Sequence, residues 1–103
     1  MDRLAILKEM LEEDPTDSFV WFAIAKEQEQ TEPQTAIETY LHLKTIDAAY
    51  VGLYYHLGKM YEIQGDKQKA IETYAEGILV AKKQSDFHSL SELNNAKVNL
   101  EME

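Results

Sequence analysis

Ala36-Ile37-Glu38-Thr39-Tyr40 recurs unchanged as Ala70-Ile71-Glu72-Thr73-Tyr74, 34 residues further on. A fixed period of this length marks a helical hairpin stacked on a copy of itself, where no copy buries its apolar face alone. Outward from the two copies, apolar residues recur at helical spacing and turn residues interrupt them at short intervals.

The first helix is expected over Asp2 to Glu12 on the stripe Leu4, Leu7, Met10 and Leu11, ended by Asp14-Pro15. The second, Ser18 to Gln30, takes Thr16 or Asp17 as its cap and turns Val20, Trp21, Ile24 and Ala25 inward. Thr31 and Gln34 have the form of a capping box, with Pro33 in the first turn of a third helix that presents Ala36, Ile37, Tyr40, Leu41 and Leu43. The fourth runs from Tyr50 to Gln64 on Leu53, Tyr54, Leu57, Gly58 and Tyr61. Gly65 ends it, and Asp66 caps a fifth that reaches Gln84 through Ala70, Ile71, Tyr74, Ile78 and Leu79. After Ser85-Asp86, Ser89 and Glu92 form a second box ahead of Leu90, Leu93, Ala96, Val98 and Leu100. Loops this short join antiparallel neighbours, so the fold class is all-α, about six helices in antiparallel hairpins forming an α-α superhelix.

In the second copy, Tyr54, Leu57, Gly58 and Tyr61 are followed by Gly65-Asp66 at the turn and then by Ala70 and Tyr74. This order resembles the tetratricopeptide repeat (TPR). The first copy resembles it through Trp21, Ile24, Ala25 and Gln28, then Ala36 and Tyr40, with one residue fewer between its halves and Gln28 where a tyrosine is expected. Small residues at 58 and 70 let two helices approach closely while the tyrosines fill the space beside them. The resemblance implies a single TPR domain over 1–103: an N-terminal half-repeat helix at 1–14, repeat 1 at 17–46, repeat 2 at 50–84 and a C-terminal capping helix at 86–101.

It also implies a protein-interaction adaptor whose first helices line a concave groove for a peptide or helix of a partner. Off the packing stripe of those helices stand Phe19, Phe22, Lys26 and Glu29, then Tyr55, His56, Lys59 and Glu62. Phe22 and Tyr55 offer apolar anchors, and Lys26 and Lys59 offer charge to an acidic group. Phe22 is favoured because it follows Trp21, and consecutive helix residues cannot both point at one neighbour. The plainer account packs Phe19 and Phe22 under the first helix. Family members that grip heat-shock chaperone tails use lysine, asparagine and arginine across three repeats. Only Lys26 answers to that pattern and His56 stands in an asparagine's place, so that ligand is not expected.

The chain has 103 residues and no cysteine, so disulfide frameworks, thiol chemistry and cysteine zinc sites are excluded. A net charge of −9 with scattered Lys and Arg argues against nucleic acid. Acid is densest at Glu9, Glu12, Glu13, Asp14 and Asp17, which either steers a basic partner or forms a solvated face. No stretch is apolar enough for a signal or a membrane span, so no membrane partner and a cytoplasmic location are expected. His42, His56 and His88 each stand outside any metal or catalytic motif, so no enzyme activity, cofactor or metal is expected, and a small enzyme using a lone histidine has the least support. The alternative to an adaptor is a self-associating homodimer, built through the groove or through the end helix around Val80 and Phe87.

Overall fold

The computed structural model describes residues 2–103; Met1, where the expected half-repeat segment begins, lies outside them. Six helices follow in order: α1 (Arg3–Glu13), α2 (Ser18–Thr31), α3 (Pro33–Ile46), α4 (Gly52–Ile63), α5 (Lys67–Gln84) and α6 (Phe87–Glu101), with no strand among the described residues. Packing resolves them into two compact units, one reaching to Tyr50 and one starting at Val51.

In the first unit α2 packs on both α1 and α3. Asp17 caps α2 by accepting the Val20 amide, as its place before the apolar run predicts. The expected Thr31/Gln34 box does not form. Instead α2 runs through Thr31, Glu32 is the lone linker, and Pro33 opens α3, where its missing N–H has no helical partner to lose. Leu7, Val20, Ala23 and Ile24 form a core patch with Leu4 and Leu11 against it, while Met10, expected in the same stripe, is exposed. Ala25 and Ala36 have no exposed surface and bring α2 close to α3. Their small side chains leave room for Tyr40 and Leu43, also fully buried. Each buried leucine of this kind contributes about 1.5–3 kcal/mol relative to exposure.

In the second unit α5 packs on both α4 and α6, and α4 also meets α6, so three helices enclose Leu53, Tyr54, Leu57, Tyr74, Ala81, Leu93 and Leu100. The chain leaves α4 through Gly65, whose φ of +80° only glycine adopts cheaply, and Asp66 caps α5 by accepting the Lys69 amide. α4 begins at Gly52, not Tyr50, which lies in the preceding turn. Ser89 is not a cap: Asp86 accepts both the Ser89 amide and its hydroxyl, which holds the Asp86 carboxyl below the usual range. Two tight approaches fix the hairpin. A Cβ on Gly58 would sit 2.2 Å from the Tyr74 ring, and one on Gly77 would sit 2.5 Å from the Tyr54 Cβ. Leu79 and Val98, expected inward, face solvent, Leu79 with 67% exposure. Each stands next to the true stripe, which Ile78 and Leu93, Ala96 and Leu100 occupy.

Candidate functional site

The two hairpins repeat one side-chain arrangement. In the first unit Tyr40 on α3 donates its hydroxyl hydrogen bond to Glu29 on α2. Phe22, about two turns nearer the N-terminus on the same face of α2, lies with its ring 6.0 Å from that of Tyr40 and 5.1 Å from that of Tyr50, and Lys26 Nζ stands 5.7 Å from the Phe22 centroid. In the second unit Tyr74 on α5 donates to Glu62 on α4, the Tyr55 ring lies 6.4 Å from Tyr74, and Lys59 Nζ stands 5.4 Å from the Tyr55 centroid. Lys59 also pairs with Glu62 at 3.6 Å. A cation over an aromatic face leaves a patch that is apolar beneath and positive above.

The glutamates therefore serve the hairpins. Sequence reasoning put Glu29 and Glu62 among the ligand-facing residues, whereas both accept from a buried tyrosine of the second helix. Burial, reinforced by the adjacent carboxylate, pushes the Tyr40 and Tyr74 phenols well above their ordinary range, so both remain donors. Glu-to-Tyr spacings of 11 and 12 residues carry the signal. Gly77, which lacks a side chain to mark it as inward-facing, falls 34 residues after the buried Leu43 and faces Tyr54. In the first hairpin Thr39 donates to Gln28 at 2.6 Å, so the glutamine that replaces a tyrosine is buried and bonded across the helices.

Phe19 and Phe22 differ in exposure. Phe19 is 64% exposed and Phe22 is half-buried. With Ala23, Lys26, Glu27 and Arg3 of α1 they line an open depression of about 160 Å³, and Arg3 Nε bonds Glu27 at 2.9 Å across its rim. Trp21 and Phe22 both reach α3, contrary to the expectation that only one could. Trp21 meets His42 edge-on at 4.5 Å and donates its indole N–H to the Pro15 carbonyl, while Phe22 reaches Tyr40. His42 and Tyr40, two residues apart, receive them on either flank of the helix. His56 lies edge-on to Tyr55, and His88 is exposed 3.5 Å from Glu92. No group of three or more His, Asp or Glu side chains among the described residues is placed to hold a metal. No helix among them is long and apolar enough to cross a membrane.

Paired helices with small residues at their closest approach and repeated tyrosine buttresses define a helical-repeat protein. The solution structure of a tetratricopeptide repeat domain protein from Salinibacter ruber is similar at 42% identity and TM-score 0.81, covering 85% of this chain and 90% of that one. A crystal structure of such a protein from the same organism gives 41% identity and TM-score 0.78 over 82% of this chain and 97% of the other. A Bordetella parapertussis protein shares the fold at 21% identity and TM-score 0.86, over 99% of this chain and 90% of that one. The chain belongs to the tetratricopeptide repeat family. No family model and no curated protein matches the sequence. The TPR fold generally mediates protein–protein interaction, and its members are typically without catalysis.

Proposed function

We propose that this chain is an adaptor that binds a peptide or helix of another protein on the exposed faces of its first helices, α2 and α4. The observation that carries the reading is the duplicated patch: Phe22 with Lys26 and Tyr55 with Lys59, each braced from behind by a tyrosine bonded to a glutamate. Side chains held this way lose little freedom on binding, which favours affinity. An aromatic under a lysine suits an apolar ligand side chain next to a carboxylate. Phe19 widens the first patch, and His56 borders the second. Panning a peptide library on the full chain tests the reading. Selected peptides should pair an apolar residue with an acidic one and bind Phe22→Ala or Tyr55→Ala about tenfold more weakly or worse. Peptides that bind both variants as tightly as the parent refute it.

A further inference from the structure

The duplicated hairpins give α1 a register. Asp14 and Asp47 close α1 and α3 in the same way, their amides bonding the carbonyls of Met10 and Leu43. Met10 thus corresponds to Leu43, Leu7 to Tyr40 and Ile6 to Thr39, while the 34-residue repeat carries Thr39 to Thr73 and Leu43 to Gly77. In both complete hairpins these positions lie under the first helix. Thr39 bonds Gln28 of α2, Gly77 abuts Tyr54 of α4, Leu43 is fully buried and Thr73 is buried. Leu7 keeps the pattern and is buried. Ile6 and Met10 break it, with 39% and 46% exposure, and none of the described helices covers them.

We infer that the Ile6–Met10 face of α1 docks an amphipathic, basic helix of a partner protein, seated where a first helix lies in a complete hairpin. The site goes beyond the α2 and α4 patches and shares no residue with them. Two apolar residues at i and i+4 form one stripe, and the matched positions in α3 and α5 are occupied by a helix in each case. Charge selects the occupant. Glu9 and Glu13 stand three residues beyond Ile6 and Met10 on neighbouring turns, and Asp2 to Asp14 carries five carboxylates against two cations, one of which, Arg3, is bonded to Glu27. A second copy would set this acidic helix against its own like and is disfavoured, whereas Lys or Arg flanking an apolar stripe is attracted.

A probe peptide of about 18 residues, with leucines on one helical stripe and lysines on the flanks, tests this against the full chain, alongside a scrambled peptide of identical composition. The amphipathic peptide should bind at least about tenfold more tightly than the scramble, since one buried stripe carries that much. The Ile6→Ser/Met10→Ser variant should lose that preference, Glu9→Lys/Glu13→Lys should weaken binding and reduce its salt dependence, and Phe87→Ser on α6 should change neither. Both α1 variants alter exposed positions, and circular dichroism on each confirms that the fold is kept; the glutamate variant reports on the site without touching its apolar residues. Equal binding of peptide and scramble overturns the inference, as does full binding by the Ile6/Met10 variant. A parent chain that sediments as a dimer and a variant that sediments as a monomer also overturns it, because the face is then covered by a second copy.

Discussion

Gly58→Ala sets two physical effects against each other. Inside an α-helix, alanine is more favourable than glycine by about 0.8–1.0 kcal/mol, so propensity alone makes the substitution stabilising. The hairpin opposes it. The added methyl carbon lies 2.2 Å from Tyr74 Cε1 and 2.7 Å from Cδ1 and Cζ, where carbon atoms normally rest about 3.5–4.0 Å apart. The ring cannot simply swing away, because Tyr74 is fully buried and its hydroxyl is bonded to Glu62, one turn along the same helix as Gly58. Overpacking of this kind costs about 1–3 kcal/mol, and losing the tyrosine bond adds about 1 kcal/mol. After the propensity gain, a net loss of about 1–3 kcal/mol remains. At roughly 4–8 °C per kcal/mol for a chain of this size, Tm falls by roughly 5–20 °C. Thermal unfolding followed by far-ultraviolet circular dichroism measures it. A melting temperature at or above that of the parent refutes the close contact. A Tyr74→Leu background provides a second check, since there the Gly58→Ala penalty should shrink by about 1 kcal/mol or more, and additive effects would contradict the assigned clash.

Tyr40 and Tyr74 make stability sensitive to alkali. Their folded-state phenols titrate above the ordinary value near 10, so their contribution is complete below about pH 10 and is lost as pH rises past it, where only the unfolded chain ionises. Urea unfolding should show stability falling there with a slope approaching about 1.4 kcal/mol per pH unit for each tyrosine, and Tyr40→Phe/Tyr74→Phe should flatten it; identical slopes contradict the assignment. Thr39→Val removes the donor to Gln28 and strands a buried amide oxygen, for an expected loss of about 1–3 kcal/mol in the same assay, and an unchanged urea midpoint would show that the bond carries no stability.

Much of the fold was legible because its determinants are local and repeated. The Ala-Ile-Glu-Thr-Tyr copies fall at the same place on α3 and α5, and Asp17, Gly65 and Asp66 act where the pattern put them. Capping boxes misled at Thr31 and Ser89, since each is a four-residue signal that a neighbour overrides: Pro33 claims the first helical position in one case, and the Asp86 carboxylate reaches the Ser89 amide first in the other. Leu79 and Val98 show the limit of an apolar stripe, whose edges the sequence does not define until a neighbouring helix covers one side. At the candidate site, the pairing of Phe22 with Lys26 and of Tyr55 with Lys59 was legible from their four-residue spacing, whereas the bonds of Glu29 and Glu62 to Tyr40 and Tyr74 were not, because they depend on partners on another helix. The exposure of Ile6 and Met10 was hidden for the same reason, as both sit on a helix whose apolar residues all look alike until its packing against α2 is known.

Nuclear magnetic resonance of the labelled full chain, titrated with a peptide selected from the library, tests the central claim most directly. Amide and side-chain shifts should concentrate on Phe19, Phe22, Lys26, Tyr55, His56 and Lys59, on the outward faces of α2 and α4. Shifts concentrated instead on the exposed residues of α3 and α5, such as Glu38, His42, Glu72 and Leu79, would contradict it.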